Sequence, residues 1–202
     1  MSTVYLLRHG VLAGDARERF IGQTDLPLAE AGIAQAQAMA QALRDKGITE
    51  VHCSDLVRSR QSAAIVGQAV GAAPQAHAGL REVSLGEWEG LLRREVALRW
   101  ADAFAERGRD IDGYHPPGGE SFADCLARAW PVWKAITQGP SRVLAVVAHA
   151  GVNRLLLCRL LGIPVQNMFR LGQDYGCVNI VELERRTVRV RLINGRSTNL
   201  AD

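Results

Sequence analysis

The sequence has few cysteines, and their spacing does not suit disulfides or a metal site. The four cysteines among the 202 residues stand at positions 53, 125, 158 and 177, and none belongs to a Cys-x-x-Cys pair. A chain of this length can bury enough apolar surface to fold without covalent cross-links. We therefore expect four separate thiols and, as the default, a cytoplasmic location.

Long hydrophobic runs are also missing. The longest apolar stretches, such as residues 143–148 and 155–158, are far shorter than the roughly 20 residues that a helix needs to span a bilayer. The first four residues are not a basic segment followed by an apolar run, so we expect no secretory signal. The sequence predicts no membrane segment.

Neither sign of charge dominates the chain. The formal net charge is +3, from 24 basic and 21 acidic residues, without the basic clusters typical of proteins that bind nucleic acid or acidic membranes. We therefore expect neither of those partners. A mild positive charge is compatible with a small anionic substrate.

The composition is otherwise that of an ordinary globular protein, with 48% hydrophobic and 22% charged residues. No repeat, low-complexity tract or linker-like segment divides it, so we predict one domain over residues 1–202. Apolar runs alternate with helical patterns, which predicts an α/β fold. The expected architecture is a three-layer α/β/α sandwich with a mostly parallel central sheet, an antiparallel edge near the C-terminus and a small helical cap at about residues 80–119.

Local patterns predict the individual elements. Predicted strands are residues 3–8, 50–53 and 143–148, and a hairpin of residues 177–183 and 187–193. Predicted helices are residues 29–44, 54–71, 91–106, 120–137 and 151–161. Ser54 and Asp55 are the expected N-caps of the second helix. A terminal edge strand would suit pairing with a second copy, so a homodimer is one option that the sequence leaves open.

Two histidines directly follow predicted strands. His9 comes after the first strand, beside Arg8, and His149 comes after strand 143–148. In open parallel sheets, ligands bind beyond the carboxyl ends of the strands. If the two strands are neighbours, the imidazoles face each other across a crevice, toward which the helix after His149 directs N–H groups that favour an anion. The alternative is that each histidine is only structural.

Arg58 lies in the first turn of the helix predicted at residues 54–71. A positive charge at that position opposes the helix dipole and costs about 0.3–1 kcal/mol. A bound anion would make this placement tolerable, so Arg58 is a candidate anion ligand. The alternative is a solvated surface arginine.

Three glutamates, Glu82, Glu87 and Glu89, crowd one short segment. A carboxyl beside a bound phosphate is favoured in its protonated form by the like charge. Such a group could protonate a leaving oxygen. Spacing alone does not choose among the three, and all of them could instead be solvated acids.

Several blocks of the sequence together resemble the histidine phosphatase superfamily, in its phosphoglycerate-mutase-like branch. Arg-His-Gly alone is a weak motif, but the blocks occur in the family's order from residue 4 to about residue 180, which makes the resemblance specific. The blocks are Arg8-His9-Gly10, residues 22–28 (GQTDLPL), residues 53–58 (CSDLVR), residues 80–90 (LREVSLGEWEG), residues 117–121 (PGGES) and Ala148-His149-Ala150-Gly151.

The resemblance implies roles for individual residues. His9 matches the nucleophile that becomes phosphorylated, and Glu82 matches the proton donor. The groups that match the holders of the phosphoryl oxygens are Arg8, Arg58 and His149. The candidate substrate-binding residues are Gln23, Gly10, Asp15 and Ala150.

The implied chemistry needs no metal ion and no cofactor. Two arginines and a protonated His149 would stabilise the charge of the transferring phosphoryl group. His9 must be neutral to attack, with its other ring nitrogen donating to a backbone carbonyl. Two positions depart from the family pattern: Val11 replaces a common acid, and Asp15 replaces a frequent asparagine. We expect Asp15 to turn away from phosphate or to bind a substrate hydroxyl.

The segment after Glu82 resembles the phosphatase branch, in which Gly-Glu-Trp-Glu-Gly is common. Residues 116–121 and 173–177 resemble the alpha-ribazole phosphatases of cobalamin biosynthesis. The resemblance thus implies a phosphoric monoester hydrolase that releases inorganic phosphate, with alpha-ribazole 5′-phosphate as one candidate substrate. Two alternatives remain: phosphoglycerate mutase-type transfer, and a non-catalytic phosphate- or partner-binding module, which would not need both His9 and Glu82.

Aromatic residues are scarce, at 5% of the chain. We expect the four tryptophans to pack in the core or the cap. If Trp88 or Tyr114 lined the crevice instead, it would suit an aromatic substrate moiety such as a benzimidazole.

Overall fold

The sheet at the centre of the fold is mostly parallel. The computed structural model describes residues 1–14, 16, 18–184 and 187–200. Its strands are β1 (Ser2–Arg8), β2 (Glu50–Ser54), β3 (Pro74–His77), β4 (Val143–Ala148), β5 (Val178–Leu183) and β6 (Val188–Gly195). They lie in the order β3-β2-β4-β1-β5-β6. The first four strands pair in parallel, whereas β5 is antiparallel to β1 and β6 is antiparallel to β5.

Helices cover both faces of this sheet. The α-helices are α1 (Glu30–Leu43), α2 (Val57–Val70), α3 (Arg93–Arg99), α4 (Ala101–Arg109), α5 (Phe122–Thr137) and α6 (Ala150–Leu161). Successive side chains of a strand point to opposite faces. Val4 and Leu6 of β1 therefore pack in one apolar cluster with α5 and α6, while Tyr5 and Leu7 pack in another with α1 and α2. The predicted three-layer α/β fold with an antiparallel edge is confirmed.

The segment of residues 80–119 carries short helices rather than strands. It contains α3, α4 and a 3-10 turn at Gly86–Trp88. The prediction of one helix at residues 91–106 is wrong, because the backbone leaves the helical region at Trp100 (φ −129°, ψ 53°), between α3 and α4. Trp88 is buried and stacks on Tyr114 with ring centroids 5.9 Å apart. The stacking of these two rings therefore stabilises the fold of this segment.

Two features of the β2–β3 region differ from the sequence predictions. The local pattern does not predict β3, because Pro74, Gln75 and Ala76 are exposed at the sheet edge and show no apolar alternation. The expected N-caps of α2 are also wrong. Leu56 is the N-cap residue and offers no side-chain bond.

The cap of α2 comes from a distant loop instead. The Asp25 carboxylate accepts a hydrogen bond from the Val57 N–H at 2.7 Å. Asp55 is occupied elsewhere, because both of its carboxylate oxygens accept hydrogen bonds at 2.7 Å from Arg81. No helix in the described part of the chain has both the length and the hydropathy needed to cross a bilayer.

Candidate active site

His9 and His149 lie side by side at the ends of two neighbouring parallel strands. The register of β1 and β4 pairs Arg8 with Ala148, so the next residue on each strand is a histidine. The two ring centroids are 5.1 Å apart, with 61° between the ring planes. His9 is 3% exposed and His149 is fully buried. Strand pairing thus brings together two imidazoles that are 140 positions apart in the sequence.

The tautomer of His9 follows from its hydrogen bond. Its Nδ1 lies 2.7 Å from the carbonyl oxygen of Gly10. A carbonyl can only accept, so Nδ1 carries the proton in the neutral ring. The lone pair is therefore on Nε2, where it is available for attack.

His149 has the opposite arrangement around its Nδ1. Arg58 donates its Nε–H to this nitrogen at 3.3 Å, so the proton of a neutral His149 is on Nε2. That Nε2 is buried without a hydrogen-bond partner in the described part of the chain. The expected doubly protonated His149 does not fit this geometry, because Nδ1 cannot accept from Arg58 and carry a proton as well. His149 is instead a neutral Nε2–H donor.

Arg58 is 1% exposed, so the alternative of a solvated surface arginine is wrong. Its two terminal nitrogens donate to the carbonyl oxygens of Thr24 (2.8 Å) and Gly22 (2.6 Å). These neutral acceptors fix the guanidinium without cancelling its charge. The position of Arg58 therefore depends on the loop around residues 22–24 as much as on α2.

Glu82 bridges the segment of residues 80–119 and the start of α6. Its Oε2 accepts from the Gly151 N–H at 3.0 Å, and its Oε1 accepts from the Val83 N–H at 3.0 Å. A Cβ at Gly151 would collide with the Glu82 carboxylate, so only glycine permits this approach. The carboxylate thus lies at the N-terminus of the helix that directly follows His149.

The other two glutamates of this segment have different surroundings. Glu89 accepts hydrogen bonds from the backbone of Gln23 (2.9 Å) and Leu85 (3.0 Å) and from the Thr24 hydroxyl (2.9 Å). It therefore ties the loop that holds Arg58 to the segment that carries Glu82. Glu87 is exposed. Geometry thus distinguishes three glutamates that the sequence spacing could not.

One cavity, of about 1170 Å³, opens beside these groups. The predicted site residues in its wall are Arg8, His9, Arg58, Glu82 and Ala150. His149 lies behind this wall, in contact with both His9 and Arg58. An imidazole, two guanidinium groups and a carboxylate therefore face one space.

Gly10 and Gln23, two further predicted substrate-binding residues, are not in the cavity wall. The carbonyl oxygen of Gly10 accepts a hydrogen bond from the His9 ring. The Gln23 side chain donates to the backbone carbonyl of Glu82 at 3.1 Å. Both therefore contact neighbours that face the cavity, and their direct contact with substrate stays a prediction. Asp15 lies outside the described residues.

The sequence analysis did not assign the further aromatic and cationic groups in the cavity wall to the site. Trp88 and Tyr114 are not in the wall. The aromatic residues in the wall are Phe20, Phe104, Phe122, Phe169 and Tyr175. The additional arginines there are Arg19, Arg93, Arg107, Arg154 and Arg196. These residues come from widely separated segments, and of them only Tyr175 lies in a sequence block that the resemblance includes.

Burial and the neighbouring positive charges lower the pKa values of both histidines. Burial, followed by the charges of Arg8 and Arg58, holds the pKa of His9 well below its usual value of 6.5. Burial and then the charges of Arg58, His9 and Arg8 lower the pKa of His149 in the same way. Both rings are therefore neutral at pH 7 in the unliganded protein, the state in which His9 can act as a nucleophile.

These lowered pKa values predict acid destabilisation. Below about pH 6.5 the unfolded chain protonates both histidines, whereas the folded protein does not. The free energy of unfolding should therefore fall on acidification from pH 6.5 toward the lowered pKa values, by up to about 1.4 kcal/mol per pH unit for each histidine. Above pH 6.5 this contribution should be constant.

Denaturant titrations between pH 7.5 and 5 measure this effect. The His9→Gln variant is the matched control, because the difference between its profile and that of the wild type isolates the contribution of His9. Parallel profiles for the two proteins would contradict the lowered pKa of His9.

Comparisons with known proteins show the family of this chain. The sequence model of the histidine phosphatase superfamily (branch 1) matches residues 4–196. A glucosyl-3-phosphoglycerate phosphatase of Mycolicibacterium vanbaalenii is 35% identical over 175 residues, which cover 83% of this chain and 77% of that protein. An adenosylcobalamin/alpha-ribazole phosphatase of Salmonella typhimurium is 26% identical over 195 residues, covering 96% of each chain.

The fold is also similar to the folds of solved structures. The crystal structure of the alpha-ribazole phosphatase from Shigella flexneri superposes with a TM-score of 0.86 at 26% identity, covering 96% of each chain. The similarity therefore extends over both the sheet and the segment of residues 80–119.

Proposed function

Because the chain belongs to branch 1 of the histidine phosphatase superfamily, we propose that it hydrolyses a phosphomonoester through a covalent phosphohistidine on His9, without a metal ion. Relatives named as phosphatases support the hydrolytic activity. The observation that carries the proposal is the group of His9, His149, Arg8 and Arg58 around one cavity, with Glu82 beside it.

The first step is transfer of the phosphoryl group to His9. The free lone pair of Nε2 attacks phosphorus while the bond to the leaving oxygen breaks, and Glu82 gives that oxygen a proton. The hydrogen bond from Nδ1 to Gly10 stabilises the positive charge that develops on the ring. The products of this step are the free alcohol and phosphohistidine.

The second step is hydrolysis of the phosphohistidine. Glu82, now a carboxylate, takes a proton from the attacking water. The P–N bond breaks, and inorganic phosphate leaves with His9 restored. One carboxyl group thus serves both steps, as its location at the N-terminus of α6 permits.

Charge stabilisation comes from Arg8, Arg58 and His149. The transition state spreads negative charge over the equatorial oxygens of the phosphoryl group. Arg58 is already fixed by carbonyl groups and needs little reorganisation to meet that charge. His149 offers its unpartnered Nε2–H.

Alpha-ribazole 5′-phosphate is our first candidate substrate. The cavity is large enough for a nucleotide-sized molecule, and aromatic rings in its wall suit a benzimidazole base. The Salmonella typhimurium and Shigella flexneri relatives carry this substrate in their names. We propose that residues 80–119 form a cap over the outer part of the cavity, where Arg93, Phe104 and Arg107 lie in the wall, within one domain over residues 1–202.

A second candidate, glucosyl-3-phosphoglycerate, is favoured by two cap arginines. The Cζ of Arg107 lies 5.8 Å from the ring centroid of Phe20 and 5.3 Å from that of Phe122. Burial, and then the charge of Arg93, lowers the pKa of Arg107. No carboxylate in the described part of the chain pairs with either arginine. Such unpaired cations suit a substrate that carries a carboxylate as well as a phosphate.

A phosphatase panel tests the function and distinguishes the two substrates. Phosphate release from alpha-ribazole 5′-phosphate, glucosyl-3-phosphoglycerate and 3-phosphoglycerate should be unaffected by EDTA. We expect one of the first two to exceed 3-phosphoglycerate in kcat/KM by about 10-fold or more, because the outer cavity contacts the rest of the molecule. No release from any of them, or complete loss with EDTA, would contradict the proposal, and an isomerised product would favour mutase-type transfer.

A matched pair of probes tests the role of the arginines in substrate choice. Phenyl phosphate and 4-carboxyphenyl phosphate differ only by a carboxylate. If glucosyl-3-phosphoglycerate is the preferred substrate, Arg107→Gln should reduce the preference for the carboxylated probe and leave phenyl phosphate within about twofold. An unchanged preference would remove the support for this candidate.

A further inference from the structure

Arg8 is held in the cavity wall without a carboxylate partner. None of the ion pairs in the described residues includes it. One terminal nitrogen donates to the carbonyl of Gln173, and its Nε is buried without a hydrogen-bond partner. Hydrogen bonding therefore restrains only one edge of the guanidinium. A long side chain with so little restraint would ordinarily sample several rotamers.

An aromatic ring supplies the missing restraint. The Cζ of Arg8 lies 3.7 Å from the centroid of the Tyr175 ring, the separation of a guanidinium stacked on an aromatic face. The same ring lies 5.6 Å from that of His9, with 56° between the planes. Tyr175 therefore contacts two adjacent residues of the phosphoryl site.

The backbone fixes Tyr175 in this place. It lies in the turn before β5, the strand that pairs antiparallel with β1. The Gly176 N–H donates to the His9 carbonyl at 3.1 Å, and the Arg8 N–H donates to the Cys177 carbonyl at 3.1 Å. The turn is thus hydrogen-bonded to the backbone of the two residues that its tyrosine contacts.

We propose that Tyr175 is a positioning residue, whose ring holds the Arg8 guanidinium in the orientation that binds the transferring phosphoryl group. This inference rests on the proposed function, in which Arg8 contacts the phosphoryl oxygens. A stacked ring restrains the guanidinium plane without accepting its N–H groups, so they stay available to the phosphate. A carboxylate in the same position would compete with the phosphate for both charge and hydrogen bonds.

The ring, and not the hydroxyl, is the part of Tyr175 that the proposal requires. Tyr175→Phe should retain kcat/KM within about threefold of the wild type. Tyr175→Leu keeps an apolar side chain but loses the aromatic face, and a cation–π contact is worth about 0.5–2 kcal/mol, which corresponds to a loss of about 2- to 30-fold. Equal losses in the Phe and Leu variants would overturn the proposal.

A double-mutant cycle with Arg8→Ala separates positioning from a general structural role. With p-nitrophenyl phosphate as an activated substrate, Tyr175→Leu should lower kcat/KM in the wild-type background but by less than twofold in the Arg8→Ala background. The same loss in both backgrounds would show that Tyr175 does not act through Arg8. Thermal unfolding confirms that each variant is folded, and Tyr175→Met replaces the leucine variant if that one does not fold.

The Arg8→Ala variant alone distinguishes failure of this inference from failure of the proposed function. If Arg8→Ala leaves kcat/KM unchanged, Arg8 does not bind the phosphoryl group, and the assignment of Arg8 in the proposed function is wrong. If Arg8→Ala reduces activity strongly while Tyr175→Leu does not, only the role of Tyr175 is wrong.

Discussion

The His9→Ala variant should form no phosphoenzyme and should lose phosphatase activity by about 10⁴-fold or more, because removal of a nucleophile eliminates the covalent pathway. The other imidazole of the site is not placed to take over the step. His149 is fully buried, and its Nδ1 is occupied by Arg58, so its remaining nitrogen is a donor and not a nucleophile. The loss should therefore be close to complete.

Rapid quenching with ³²P-labelled substrate measures the intermediate. Wild-type protein should carry label that is stable in base and labile in acid, the behaviour of a phosphohistidine. The matched control is His115→Ala, which removes an exposed histidine that pairs with Asp124 and is not in the cavity wall. Label retained by His9→Ala would show that another residue is the nucleophile.

The Glu82→Gln variant should turn over alkyl phosphates about 10²- to 10⁴-fold more slowly, the range typical for loss of a general acid. The amide oxygen of Gln can still accept from the Gly151 N–H, whereas its amide nitrogen cannot accept from the Val83 N–H, so thermal unfolding of this variant has to match that of the wild type. The loss would then report on proton transfer rather than on folding.

The leaving group provides a sharper test of Glu82. A p-nitrophenolate leaving group needs no proton, so Glu82→Gln should still be phosphorylated quickly by p-nitrophenyl phosphate. The second step still needs a base, and phosphoenzyme should therefore accumulate, with a burst of p-nitrophenol. Glu87→Gln is the control, because Glu87 is exposed and absent from the cavity wall. An unchanged rate on an alkyl phosphate would rule out Glu82 as the acid.

Local sequence patterns were sufficient for the layers of the fold but not for every boundary. Buried apolar runs predict β1 and β4, and the helical patterns on either side predict the two covering layers. The exposed strand β3 lacks any such run, and the break at Trp100 lies inside an otherwise helical pattern. Such boundaries depend on neighbours that are distant in the sequence.

In the candidate site, too, some features follow from the local sequence and others depend on contacts between distant segments. The positions of His9 and His149 after their strands can be read from the sequence, because a strand followed by a histidine is a local feature. The choice of Glu82 over Glu87 and Glu89 needed either the family resemblance or the contact with Gly151. The orientation of Arg58 needed the loop around residues 22–24, about 35 positions earlier in the chain.

The α/β class and the family follow from the sequence alone, and the sequence also predicts which residues handle a phosphoryl group. Contacts in the folded protein were needed to place the protons on the two imidazoles, to show which neighbours Gly10 and Gln23 contact, and to find Tyr175 stacked on Arg8. The physical reason is the range of the interactions. Strand and helix patterns arise between residues a few positions apart, whereas the hydrogen bonds and stacking that tune the site join segments that meet only when the sheet has formed.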